Sequence, residues 1–224
     1  MFLALREFRH ARLRYALVTG VIAMVASLVF ILSGLANGLA SGNSEAIEAI
    51  EADGFVVASG SEYLLDRSRL SEDVLSAISD ADGVEAIEPM IATVGNVRNG
   101  DTDDVLGVSI IAVNPDGFLD PGTDSGDTLA GSPDGIVIDK SLANEGIKVG
   151  DMLTFDPSGL ELEVVGITSG HQYRLAPTLF VNIEKMSEIN TESNGSVNAL
   201  VVRGDAEAIE SLPDNVDGIM VGSE

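Results

Sequence analysis

Glu45 and Glu48 stand one helical turn apart in NSEAIEAIEA (43–52), just beyond a long apolar run. Carboxylates at that spacing share a helix face and can take a ligand, although exposed helix acids more commonly only solvate a surface. A second acidic set, Asp116, Asp120, Asp124 and Asp127, lies in NPDGFLDPGTDSGDTLAGSPDG (114–135). Calcium favours several oxygen ligands, but this spacing does not match an EF-hand loop, and a solvated acidic loop is the simpler reading. His10 and His171 are the two histidines. They fall on opposite sides of a membrane if the apolar run crosses one, and then they share neither a metal nor a proton. The chain has no GxxxxGKS or GxxxxGKT phosphate loop, no HExxH pair and no GxSxG elbow. Catalysis by this chain alone is therefore not expected.

The element that must position Glu45 and Glu48 is the segment before them. ALVTGVIAMVASLVFILSGLA (16–36) carries no charge, and at about 1.5 Å rise per residue it spans the roughly 30 Å hydrocarbon core. Arg6, Arg9, Arg12 and Arg14 precede it. By the positive-inside tendency they hold the N-terminus in the cytoplasm and place the remainder of the chain outside. A cleaved signal peptide is the rival reading, since Ala36-Asn37-Gly38 offers small residues to a peptidase, but the apolar run exceeds the ~7–15 residues of a signal core. At 100° per residue Gly20, Ser27, Gly34, Gly38 and Gly42 fall in one sector of the helix. Gly34-x-x-x-Gly38-x-x-x-Gly42 has the spacing that lets membrane helices approach closely, which predicts a packing face against a second copy or other helices. Glu45 continues that sector, with Glu48 beside it.

Composition divides the chain in the same place. Of 12 basic and 36 acidic residues, four arginines and one acid, Glu7, precede Ala16, which leaves a strongly acidic body and a net charge of −24. Such a body repels phosphate backbones, so no nucleic acid is expected as partner. With only Lys140, Lys148 and Lys185 for lysines, its surface suits a salty medium or an ordinary solvated extracellular domain. Cysteine is absent, so disulfides and thiolate metal sites are ruled out and the body must rely on its core.

The residue pattern predicts a cytoplasmic N-terminus over 1–15, a transmembrane helix over 16–39, a stalk helix over 40–53 and an extracytoplasmic α+β domain over 54–224. Within the domain, β-branched runs separated by turn signals predict strands over 55–59, 84–97, 105–113, 136–138, 152–155, 160–168, 178–183, 197–202 and 219–221. Asn99-Gly100-Asp101 predicts a hairpin turn. Ser71 followed by acids predicts a helix over 71–79, and further helices are expected over 141–145 and 205–212. The last segments read as a return to the first lobe of a two-lobed, β-rich fold, with the second lobe over about 130–190.

The order of these pieces resembles ABC-transporter permeases of the FtsX/MacB type, particularly the DevC-like and haem-exporter branch. LREFRHARLRYALVTGVIAMVASLVFILSGLANGL looks like the first membrane helix of that branch, and SEAIEAIEADGFVV like its stalk. DGIVIDKSLANEGIKVGDMLTF and ELEVVGITSGHQYRLAPTLFVNIEKMSEI are similar to consecutive parts of its outer, MacB-like periplasmic core domain. The resemblance implies a homodimeric permease in the cell membrane, in contact with lipid and driven by ATP through a separate cytoplasmic ATPase. Haem or another amphiphile is the substrate it suggests, with Glu45 and Glu48 as candidate substrate-binding residues; no cofactor or metal is assigned to this chain. Such permeases carry three further membrane helices after the outer domain, which Glu224 precedes, so a natural truncation or a fragment is expected. The alternative function is a single-pass anchored module that binds a partner protein and transports nothing.

Overall fold

The computed structural model describes residues 12–48, 52–62, 64–100, 104–171, 173, 176–190 and 196–222, with backbone only at 12, 15, 36–48 and 66. It forms two units, Met1–Asn43 and Ser44–Glu224. The charge-free run lies within one continuous helix, α1 (Arg12–Glu48). Every described side chain between Ala16 and Leu35 is exposed, over a window with mean hydropathy 2.5.

In the second unit, alternation and turn chemistry set the elements as expected. Strand β1 (Gly54–Ala58) is followed by α2 (Glu72–Ser79), whose N-cap Ser71 accepts from the Val74 amide at 3.4 Å. Then come β2 (Val84–Asn99) and β3 (Val105–Val113), paired antiparallel from Ile91↔Ala112 to Arg98↔Val105 as the Asn99-Gly100 turn predicts. The 114–135 stretch holds only the two-residue β4 (Ser125–Gly126). β5 (Ile136–Asp139), α3 (Lys140–Asn144), β6 (Met152–Asp156), β7 (Glu161–Thr168), β8 (Thr178–Asn182) and α4 (Met186–Ile189) follow. β9 (Ala199–Gly204), α5 (Ala206–Glu210), α6 (Leu212–Asn215) and β10 (Ile219–Gly222) end the described chain. A single helix was expected over 205–212; it breaks at Ser211, and α6 restarts with Pro213 in its first turn, where a missing amide costs nothing.

β2 belongs to two sheets. Its first half, Val84–Met90, pairs with β9, and β1 lies between β9 and β10, so the last strands do return to the first. Its second half starts a ring: β2 pairs β3, β3 runs parallel to β8, β8 pairs β5, β5 runs parallel to β7, β7 pairs β6, and β6 pairs β2 from Asn96↔Asp156 to Asn99↔Leu153. The ring is a closed six-stranded barrel, a topology that leaves no edge where it is complete. Its interior is filled by one face of each strand, including Val97, Val108, Ile110, Ile138, Phe155, Val164 and Val181, and Met186 and Ile189 of α4 join the same cluster. The outer faces of β3, β5 and β8 (Ile111, Val137, Phe180) pack with Met90 and Val201 of the open sheet in a second cluster. The open sheet's other face buries Ile78, Ile209 and Leu212 from its helices. β5 and β8, covered on both faces, are correspondingly apolar throughout except at their polar ends, Asp139, Thr178 and Asn182.

Candidate functional site

On α1, Gly20, Ser27 and Gly34 are exposed, and a side chain built at Gly20 or Gly34 would meet nothing within 4 Å. Their neighbours are large and bare: Phe30 is 77% exposed and Met24 75%. A surface of this kind is stable only in contact with lipid or other apolar helices. Gly38, Gly42, Glu45 and Glu48 lie on the last turns of the same helix. Their side-chain surroundings fall outside the described residues, so the carboxylate pair and the outer end of the small-residue face stand as proposals.

The acidic loop uses its carboxylates locally. Asp120 Oδ1 accepts from the Gly122 amide at 3.1 Å, Asp124 Oδ2 from Ser169 Oγ at 2.7 Å, and Asp127 from the Thr128 amide at 2.9 Å and Ser132 Oγ at 2.8 Å. The Asp120 and Asp127 bonds are turn-forming bonds of short polar side chains to nearby groups, and the Asp124 bond ties the loop to the segment after β7. Among the described residues no group of three or more His, Cys, Asp or Glu is placed to hold a metal ion.

His171 stands beside the C-terminal ends of the parallel strands β5 and β7. Its Nδ1 lies 3.3 Å from Thr168 Oγ1, its amide donates to Asp139 Oδ2 at 3.3 Å, and its ring meets Phe180 edge-on with centroids 5.6 Å apart. Asp139 also caps α3 through the Ser141 amide at 2.8 Å, and Thr168 donates to the Pro121 carbonyl at 3.2 Å. The cluster ties the acidic loop and the segment after β7 to the barrel, which is a packing role.

Two polar centres were not legible in the sequence. Buried Asn198, just before β9, accepts from the Ala92 amide at 2.9 Å and donates to the Ala92 carbonyl at 2.7 Å, so its side chain replaces a rung of the ladder. Glu88 on β2 lies against the Phe118 backbone, with the Arg203 guanidinium 4.1 Å from the centre of the Phe118 ring. Burial pushes the Glu88 carboxyl above the usual carboxylate range, partly offset by the Phe118 amide, and its Oε2 is buried without a partner among the described residues. In the sequence Glu88 is one acid among 36, and only the loop folding over it, with Gly117 against its carboxylate, marks it out.

The order of elements, one bare apolar helix and then a barrel spliced to an open sheet, is matched by the model of the MacB-like periplasmic core domain over residues 16–218. The chain belongs to this family. The resemblance to FtsX/MacB-type ABC permeases and the α+β fold are thereby borne out. A Staphylococcus haemolyticus protein named as a hemin transport system permease, HrtB, is 27% identical over 192 residues, which are 86% of this chain and 52% of that protein. Its counterpart from Staphylococcus epidermidis is 25% identical over 215 residues, covering 95% and 58%. The chain thus spans about half the length of the curated relatives it matches. Two solved structures share the fold. One is the periplasmic region of MacB from Actinobacillus actinomycetemcomitans (TM-score 0.54, 14% identity, 80% of this chain and 92% of that one). The other is the extracellular domain of the ABC-type transporter YknZ from Gram-positive bacteria (TM-score 0.53, 16% identity, 77% and 99%).

Proposed function

We propose that this MacB-like chain is a permease subunit of an ATP-driven exporter, with α1 crossing the cell membrane, its N-terminus cytoplasmic and residues after about 40 extracytoplasmic. The observation that supports this reading most is the succession of a charge-free run, Ala16–Leu35, whose side chains are all exposed, and a periplasmic core fold in one family match. Arginines before the span favour this orientation. Energy comes from a separate cytoplasmic ABC ATPase, since the chain has no phosphate-binding loop of its own. Two copies pack through the small-residue face of Gly20, Ser27, Gly34, Gly38 and Gly42. The substrate is haem or another amphiphile, met by Glu45 and Glu48 where the span leaves the membrane; the relatives named for hemin transport support that choice.

Haem titration of the detergent-solubilised chain tests the substrate. A saturable Soret shift that Glu45→Gln weakens supports the site, and a spectrum identical in both proteins overturns it. Orientation is tested separately. The chain lacks cysteine, so a single cysteine introduced at the exposed Ser59 should react with a membrane-impermeant maleimide on intact cells, and protection until lysis would reverse the topology.

A further inference from the structure

The loop after β3 has two anchorages of different kinds. Its far end is bound to the barrel strand β7: the Asp124 amide donates to the Ile167 carbonyl at 2.8 Å, β4 pairs with β7, Thr168 Oγ1 donates to the Pro121 carbonyl, and Ser169 Oγ donates to Asp124. At its near end Asn114 to Gly117 close a turn, with the Gly117 amide on the Asn114 carbonyl at 3.0 Å and the Asp116 amide on Asn114 Oδ1 at 3.3 Å. This turn lies over the open sheet, yet among the described residues no backbone–backbone hydrogen bond joins 114–119 to β2 or β9.

Glu88 of β2 supplies the near anchorage. Its carboxyl accepts from the Phe118 amide, and Gly117 rests so close that a β-carbon there would run into the carboxylate. Arg203 stands diagonal to Glu88 across the Glu88↔Val201 pairing and holds the Phe118 ring from 4.1 Å. Leu119, the next residue, is buried in the cluster that the open sheet shares with the barrel. The other charged groups on the surrounding elements are engaged elsewhere or face solvent. Asp116 is exposed in the turn, Asp120 accepts from the Gly122 amide, and Arg67, on the helical turn Leu65–Arg67 that also packs on β2, pairs with Glu62. Glu88 Oε2 is thus buried without a hydrogen-bond partner among the described residues, and burial lifts the carboxyl above its usual range. Ionisation places charge on an oxygen that no donor reaches, a larger cost than leaving a neutral hydroxyl there.

We propose that residues 114–119 form a proton-dependent strap: they stay fastened to the open sheet while Glu88 is protonated, and when it ionises they lift away while 121–127 remain on the barrel. The direction follows from the two environments of the group. Fastened, the carboxyl is buried; lifted, it meets water and regains its ordinary proton affinity. The fastened state is therefore favoured at acid pH and loses ground as pH rises through its own, higher value. Lifting also withdraws Leu119 from the junction of the two cores, so a rise in pH weakens one contact between the open sheet and the barrel. In the orientation proposed above the proton comes from the outer medium, but the strap itself does not depend on that reading.

The test is hydrogen exchange of the full chain in detergent, read by mass spectrometry over peptides spanning 114–120. Wild type and Glu88→Gln are compared at equal pH, which cancels the pH dependence of the intrinsic exchange rate. Glutamine keeps the shape and stays neutral. Near pH 7 the wild-type strap should exchange roughly twofold to tenfold faster than the variant, the range of one hydrogen bond's net worth. The two should converge at about pH 4.5, and peptides over β7 and β9 should not differ. Gly117→Ala, which forces the turn off the carboxylate, should exchange fast at both pH values. Equal exchange of wild type and Glu88→Gln near pH 7, a difference that persists in acid, or one spread over β7 and β9 would overturn the proposal. If Glu88→Gln does not fold, the ratio of Gly117→Ala to wild-type exchange decides: it should fall as pH rises, and a constant ratio overturns the strap.

Discussion

Val25 and Val97 are the same residue in two different solvents. Val25 on α1 is 56% exposed and has no protein around it, whereas Val97 is wholly buried in the barrel. The second unit satisfies the hydrophobic effect by closing a sheet on itself, and α1 satisfies only its backbone, through its own helix, leaving the side chains to whatever surrounds them. Apolar content alone does not distinguish the two regions. Periodicity does: α1 is uncharged on every side between Ala16 and Leu35, whereas the strands alternate except where both faces are covered.

The most damaging way to break this comparison is to charge the span. Val25→Arg places a guanidinium near the middle of the apolar run, at a cost of about 2.5–3.5 kcal/mol for insertion. The full chain should then become extractable from membranes by alkaline carbonate; unchanged retention would show that α1 is not held by lipid. Asn198→Ala attacks the other region. It strips the Ala92 amide and carbonyl of their partners, a loss of about 1–3 kcal/mol. The outer domain should melt earlier in urea, and the haem titration, if it reports α1, should be unaffected. The smallest expected effect is at Glu88. Because burial raises its carboxyl, the folded state holds the proton more tightly than the unfolded chain, and stability falls as pH rises through the folded value. Glu88→Gln should therefore raise the melting temperature slightly at pH 7, by less than the ~4 °C that 1 kcal/mol produces in a domain of this size. The gain should vanish below the ordinary carboxylate range, and a gain independent of pH would assign it to another cause.

Most element positions were legible because their signals are local. Ser71 caps α2, β2 and β3 pair as the Asn99-Gly100-Asp101 signal predicts although residues 101–103 lie outside the described residues, and the apolar run Ile136 to Ile138 is the strand β5. Pairing was less so. Nothing in TLFV (178–181) reveals that it runs parallel to β3, or that β6 returns to β2, and barrel closure depends on both. The expected strand start at Val197 differs from the observed Ala199 for a related reason: Asn198 occupies the ladder with its side chain, and propensity does not register such a substitution. At the candidate site, the spacing of Gly20, Ser27 and Gly34 was readable, but what that face meets depends on a second molecule and is not encoded in one chain's periodicity.

The length of β2 carries a mechanical consequence. Its 16 residues, at about 3.3 Å each, form a beam of roughly 50 Å contour whose two halves are riveted into separate cores. A pull on the open sheet is transmitted to the barrel along one continuous strand, with no hinge loop within it to absorb the load. Under load the second unit should behave as a stiff lever, and in a force-extension measurement it should yield in one step, at the rupture of β2 from its neighbours, rather than by the two cores parting first.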